Sequence, residues 1–311
     1  MLNLKQKGFY KGINLGGWFS QCDYTAERLN DFIHEKDFEK IAAWGADHVR
    51  LPVDYNILEL EDGWTRIDQA IALARKYHLN TVLDLHKTPG FSFDDYSENE
   101  NGFFDDKAYQ EQFYQIWENF AKRYHNQPVA FELLNEVTDQ SYLPAWNRIA
   151  CTCIGRIRKF APENLILVGS YENNSARTVQ YLDLPEDENL VYNMHCYEPL
   201  KFTHQGAYWT SAINPEERFA FSESHITPEY FENLFAAAID KAREKHTVLY
   251  CGEYGVINKV SPEDTLSWFR TIHEVFEKYG IARCAWSYKE MDFGLSDARL
   301  NSVRDEMIKN L

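Results

Sequence analysis

The chain has 311 residues, 44% of them apolar and 15% aromatic, with a formal net charge of −16; no Pro/Gly/Ser-rich linker or short-period repeat divides it, so a single domain over residues 1–311 is expected. The acidic residues are spread throughout, which argues against a nucleic-acid partner and its need for concentrated Lys and Arg, and no run of about 18 apolar residues is available to span a membrane. The opening Leu2-Asn3-Leu4-Lys5-Gln6-Lys7 lacks a signal-peptide stretch, and Cys22, Cys151, Cys153, Cys196, Cys251 and Cys284 show neither disulfide density nor metal-ligand spacing, so a cytoplasmic setting is expected unless a leader has been removed.

Strand-like runs follow at residues 9–15, 47–51, 81–85, 129–134, 165–168, 190–195, 248–251 and 282–287, each short, apolar and rich in strand formers. Between them lie amphipathic segments at 38–44, 67–77, 109–124, 143–160, 228–244 and 262–279. Several open on helix-starting signals such as Ser261-Pro262. Eight strands alternating with helices predict parallel pairing through right-handed crossovers and closure into a (β/α)8 TIM barrel. The connection after Val168 offers only a short helix near 178–182, which leaves a doubly wound open sheet as the alternative. Arg50, His86, Asn135, Glu136, His195, Tyr197, Glu253 and Trp286 fall at or just past different strand ends, which favours the barrel. An open sheet would gather them at one switch point.

Two of these residues carry the chemistry. Glu136 ends Phe131-Glu132-Leu133-Leu134-Asn135-Glu136, and Glu253 ends Val248-Leu249-Tyr250-Cys251-Gly252-Glu253. A carboxylic acid beside a carboxylate is the minimal machinery for breaking a glycosidic bond: one protonates the leaving oxygen while the other attacks or activates water. Taken alone, either glutamate reads more simply as a strand exit. Glu132 is the rival of Glu136, because period-two alternation puts both on one face; the higher position is the one substrate can reach. His86 and His195 lack a His-X-His or His-Glu-X-X-His partner, so no metal is expected. The stripe Phe113, Tyr114, Trp117 and Phe120 has helical spacing and reads as core.

Gly12-Ile13-Asn14-Leu15-Gly16-Gly17-Trp18, His48-Val49-Arg50-Leu51-Pro52, Leu83-Asp84-Leu85-His86, Leu134-Asn135-Glu136, Met194-His195-Cys196-Tyr197, Gly252-Glu253-Tyr254-Gly255 and Ala285-Trp286 resemble the successive signatures of glycoside hydrolase family 5, in the family's order. Phe202-Thr203-His204-Gln205 with Trp209, and Tyr288-Lys289-Glu290-Met291-Asp292-Phe293, resemble its clostridial non-cellulosomal endoglucanase and lichenase type. That type carries a longer insertion after the sixth strand, where here only about thirty residues separate Tyr197 from Pro228.

The resemblance implies a retaining double displacement with Glu136 as general acid/base and Glu253 as nucleophile. Arg50 and the Tyr197 phenol would keep Glu253 ionised, and burial with a nearby carboxylate would keep Glu136 protonated at the start. Asn135 would bond the sugar 2-hydroxyl, His86 and His195 would orient the sugar and the acid/base, and Trp286 would floor the cleavage subsite. Trp209, Lys289 and Trp18 are further candidate substrate contacts, and no cofactor is implied. The implied substrate is a β-1,4 or mixed β-1,3-1,4 glucan or oligosaccharide cut internally. A mannanase, a β-1,3-glucanase and an exo-acting β-glucosidase share such a site. A carbohydrate-binding barrel without catalysis is the reading from another class, and oligomeric state is not indicated.

Overall fold

Eight strands, each paired in parallel with the next, form the centre of the molecule: β1 (Lys11–Asn14), β2 (His48–Asp54), β3 (Asn80–Lys87), β4 (Val129–Glu132), β5 (Ile166–Val168), β6 (Leu190–Cys196), β7 (Leu249–Tyr254) and β8 (Ala282–Ala285). The last strand pairs with the first through Lys11↔Arg283, Gly12↔Cys284 and Ile13↔Ala285. That closure makes a (β/α)8 TIM barrel and removes the open-sheet alternative. The computed structural model describes residues 2–94 and 101–311. Among them, no helix is long and apolar enough to cross a membrane.

Among the described residues, six longer helices surround the barrel: α1 (Glu35–Ala43), α2 (Gly63–Lys76), α3 (Lys107–Tyr124), α4 (Leu143–Arg158), α5 (Pro228–Glu244) and α6 (Pro262–Tyr279). Side-chain caps fix where several begin, with Asp106 accepting from Ala108 N, Thr227 from Tyr230 N and Ser261 from Asp264 N. Proline in the first turn of α5 and α6 forfeits no helical hydrogen bond. The stripe expected to be core in α3 is buried, Phe113, Trp117 and Phe120 completely. Between β5 and β6 there is no full helix, only a left-handed turn at Tyr171–Asn174 and a 3-10 turn at Val179–Tyr181.

The strand alternation sorts the barrel interior into layers. Val82, Ala130, Leu167, Val191, Tyr250 and Cys284 form an apolar floor with Leu4, Phe9 and Tyr10. Phe9 and Tyr10, expected inside the first strand, instead plug this end after Gly8 turns the chain at φ 73°. Two residues further along the same faces stand Asp84, Glu132 and Asn193, all fully buried. The polar end of the barrel is therefore the carboxyl end of its strands.

Candidate active site

Arg50 occupies the centre of the polar layer with no exposed surface. Its Nε and Nη2 donate to Glu132 Oε2 and Oε1, each over 2.7 Å. Nη1 donates to Glu253 Oε1 over 2.6 Å and to Asn14 Oδ1 over 2.9 Å, while Nη2 reaches Asn135 Oδ1 at 3.0 Å and Asp84 Oδ2 at 3.0 Å. Burial alone would weaken this cation, but Asp84, Glu132 and Glu253 hold it well above its ordinary value. Burial also pushes Glu132 upward, and Arg50 outweighs that and takes it down to about 2. Asn193 Nδ2 donates to the same carboxylate over 2.8 Å. Glu132 is thus committed below the cleft and does not line it.

Glu253 faces the cleft because β7 is irregular. Met194 pairs with Cys251 but His195 pairs with Glu253, so Gly252 is an extra residue against one step of β6. Such a bulge re-aims the residue after it. A Cβ on Gly252 would sit 2.8 Å from Asn193 Oδ1 and 3.1 Å from His195 Nε2, which is why glycine occupies it. Arg50 takes one oxygen of Glu253, and the Tyr197 hydroxyl donates to the other over 2.8 Å. Burial, then Glu253, pushes the Tyr197 phenol well above its ordinary value, so it stays a donor.

Glu136 lies just past β4 with a left-handed backbone, φ 42°. Its Oε1 is 2.8 Å from His195 Nδ1, and its Oε2 accepts from Asn173 Nδ2 over 2.9 Å. The same His195 Nδ1 is 3.7 Å from Glu253 Oε2. One ligand atom from each of Glu136, His195 and Glu253 falls within 4.8 Å of the others. Burial alone would depress His195, but Glu253, then Glu132 and Glu136, carry it up to about 10. Burial pushes Glu136 the other way, yet His195 outweighs it and Glu136 sits below its ordinary value. The expectation that burial and a carboxylate neighbour raise Glu136 is corrected: burial does push it up, but the His195 ring beside it holds it below its ordinary value.

Every carboxylate oxygen of Glu136 and Glu253 is already engaged by an N–H or O–H group, which a metal ion would have to displace. The donor set is that of a hydrogen-bonded acid pair.

His86 Nδ1 is 2.7 Å from Asp84 Oδ2, and its ring lies parallel to Trp286 with centroids 5.9 Å apart. Burial opposes the charge on His86, and Asp84 restores it, raising the ring above its ordinary value. Trp286 lines the cleft, and a Cβ on Gly16 would come within 2.5 Å of its ring. Asn135 is fully buried, its Oδ1 held by Arg50 and its Nδ2 3.5 Å from His86 Nε2.

Trp209 is 46% exposed at the cleft wall, edge-on to His204. Trp18 and Lys289 do not line the cleft. After the positive-φ turn at Gly17, Trp18 enters the core, stacks on Phe19 at 4.1 Å and donates to Leu29 O over 3.0 Å. Lys289 turns away to donate to Phe32 O over 2.7 Å. Both expectations of substrate contact are corrected accordingly.

The sequence reading omitted Asn173, although an Asn-Asn pair after a short strand is a signal for left-handed backbone. It also gave no role to His204, which burial pulls down to about 4 and so keeps neutral. The whole cleft has a volume of about 1250 Å³.

The model of the cellulase family, glycosyl hydrolase family 5, matches residues 6–292. Cellodextrinase A of Ruminococcus flavefaciens is 58% identical over 288 residues, covering 90% of this chain and 85% of that protein. Endoglucanase C of Acetivibrio thermocellus is 34% identical over 338 aligned positions, covering 97% and 98%. Among solved structures, the cellulose synthase subunit Z of Clostridioides difficile superposes with a TM-score of 0.82 at 25% identity, covering 97% of this chain and 99% of that one. Endoglucanase Cel5A of Thermotoga maritima gives 0.82 at 21% identity over 100% of both, a likeness of fold.

Proposed function

Because this chain belongs to glycosyl hydrolase family 5 and is a glycoside hydrolase, we propose that it cuts β-1,4-linked glucan chains internally, cello-oligosaccharides foremost, with retention of anomeric configuration. The observation that carries the mechanism is the spacing of Glu136 and Glu253, with oxygens inside 4.8 Å and one imidazole nitrogen between them. Retaining enzymes hold their carboxyl groups about 5 to 5.5 Å apart, whereas inverting enzymes leave roughly 6.5 to 9.5 Å for a water.

Glu253, oriented by Arg50 and Tyr197, attacks the anomeric carbon. The bond to the leaving oxygen breaks as that oxygen takes the proton held by the Glu136–His195 pair, through Glu136. Esterification removes the charge of Glu253, which is a major influence keeping His195 protonated. Glu136, now a carboxylate, takes a proton from water as the water displaces Glu253. Asn135 bonds the sugar 2-hydroxyl, and Trp286 lies under the ring being cleaved.

The substrate class is supported by the names of the relatives, a cellodextrinase and an endoglucanase. Cleft size supports a chain rather than a single sugar, because 1250 Å³ exceeds the roughly 300–1,000 Å³ of small-ligand pockets. Proton NMR of a fresh cellohexaose digest tests both parts. The expected result is β-anomer first, with cellobiose, cellotriose and cellotetraose as early products. An α-anomer appearing first overturns retention, and glucose as the only early product overturns internal cleavage.

A further inference from the structure

The segment after β5 holds an amide against Glu136 at a backbone cost. Glu172, Asn173 and Asn174 are all left-handed, with φ of 54°, 56° and 55°. That region costs L-residues roughly 1–2 kcal/mol each, Asn the least. Two main-chain bonds tie the turn to the loop carrying Glu136: Glu172 N donates to Thr138 O over 3.1 Å and Asn173 N to Val137 O over 3.0 Å. Asn173 Nδ2 then meets Glu136 Oε2 at 2.9 Å on the cleft wall. The neighbouring Asn174 is fully buried and fills the space over Gly169. Asn173 is exposed to the cleft, so packing does not account for its side chain.

We propose that Asn173 is a positioning residue for the acid/base, its amide N–H fixing the Glu136 carboxylate and stabilising it while the glycosyl-enzyme exists. The proposal rests on the reading of Glu136 given above. The Glu136–His195 pair gives its proton to the glycosidic oxygen through Glu136, which is then a carboxylate until it takes a proton from water. A donor on Oε2 favours the ionised form between these two transfers, so it strengthens the acid in the first step and preserves the base for the second.

Several charged or titratable groups also face Glu136: His195 and Tyr197 from β6 and its exit, His86 from β3, Glu253 from β7, and His204 beyond Tyr197. Glu172 and Arg177 line the cleft from Asn173's own segment. Asn173 carries no charge, so replacing it with glycine alters hydrogen bonding without altering the charge count.

Asn173→Gly keeps a residue at ease with positive φ and deletes the amide, while Asn173→Asp keeps the shape and replaces the donor with a carboxylate. The measurements are kcat/KM and kcat against pH on aryl cellobiosides, one with a poor and one with an activated leaving group, beside Glu136→Ala as the reference. In Asn173→Gly the alkaline limb of kcat/KM on the poor leaving group should move to higher pH, and further in Asn173→Asp. On the activated substrate, where water attack is limiting, kcat should fall about tenfold, the loss of one hydrogen bond to a charged group partly screened by solvent. Asn173→Gly should melt no lower than the parent, since glycine relieves the left-handed turn. With Glu136→Ala inactive on the poor leaving group, an unmoved alkaline limb and a kcat within about twofold of the parent in both variants overturn the role of Asn173 alone. If Glu136→Ala matches the parent, the acid/base reading itself falls and takes this proposal with it.

Discussion

The Tyr197 hydroxyl donates to Glu253 Oε2 over 2.8 Å, on the oxygen that Arg50 leaves free. Glu253 is therefore held by two donors of different kinds, a buried cation and a phenol that stays protonated. Tyr197→Phe removes one hydrogen bond to a charged group, worth roughly 1.5–3 kcal/mol, and should lower kcat by about ten- to a hundredfold. Steady-state kinetics on cellotetraose would show it, and a kcat within twofold of the parent would mean that Arg50 alone orients Glu253.

The two glutamates should separate on substrates that need no acid. Glu136→Ala should lose polymer hydrolysis yet retain the first step on an aryl glycoside with an activated leaving group, because Glu253 still attacks. Azide, which needs no base, should then give a β-glycosyl azide. Glu253→Ala should fail on that substrate, with any azide rescue arriving from the opposite face as the α-product. Product NMR decides; the reverse pattern would exchange the two roles.

Glu132→Ala should harm stability more than Glu136→Ala does. It strips Arg50 of its bidentate partner inside the barrel, and breaking a buried pair on one side costs about 3–5 kcal/mol. The pH dependence has a definite sign. Glu132 is depressed in the folded chain to about 2, below its ordinary 4.5. Its contribution is complete above about pH 4.5 and is lost as pH falls toward 2. Asp84 is raised to about 6 by burial against the pull of Arg50, so its contribution runs the other way, falling as pH rises through that value. Urea unfolding of the parent and of Glu132→Ala from pH 3 to 7 should show the acid loss in the parent and a shallower one in the variant.

Gly16→Ala should reproduce much of the effect of Trp286→Ala without touching Trp286. The added methyl would meet the indole at 2.5 Å and push it out of the cleft floor. Both variants should lose activity on every substrate, since the cleavage subsite is common to all. Trp209→Ala should instead change the ranking among cellohexaose, barley β-glucan and glucomannan, because Trp209 sits at the wall and is half exposed. Equal losses on all three would place Trp209 in the loop's own packing.

Most of the architecture could be read from the sequence because it follows from local rules. The bounds of α5 and α6 coincide with the predicted segments at 228–244 and 262–279, where capping residues and proline mark the starts. Strand alternation put Glu132 inside the barrel, but β4 ends there, and Glu136 reaches the cleft through a left-handed backbone outside the alternation. The same alternation gives no reason for Glu253 to face inward, since Cys251 on its parity packs with the core outside the barrel floor; the bulge at Gly252 reverses it. Trp18 and Lys289 were misplaced for a related reason. Trp18 follows the positive-φ turn at Gly17, so adjacency to site residues in the chain does not fix its direction, and Lys289 is drawn away by the Phe32 carbonyl. The Asn173-Asn174 pair signals left-handed backbone, but nothing local says that Asn173 reaches Glu136 from another strand's exit.

Arg50 binds residues contributed by β1, β3, β7 and β4 with its exit, from its own place on β2. The guanidinium is a keystone as much as an electrostatic partner, and losing it would strand buried acids on three other strands. A descendant of this chain could discard Glu136 and go on folding as a sugar-binding barrel, but it would be under pressure to keep Arg50 all the same. Tracing whether such a descendant still hydrolyses anything should therefore follow Glu136, His195 and Asn173, because Arg50 would persist through the loss as a fossil of the architecture.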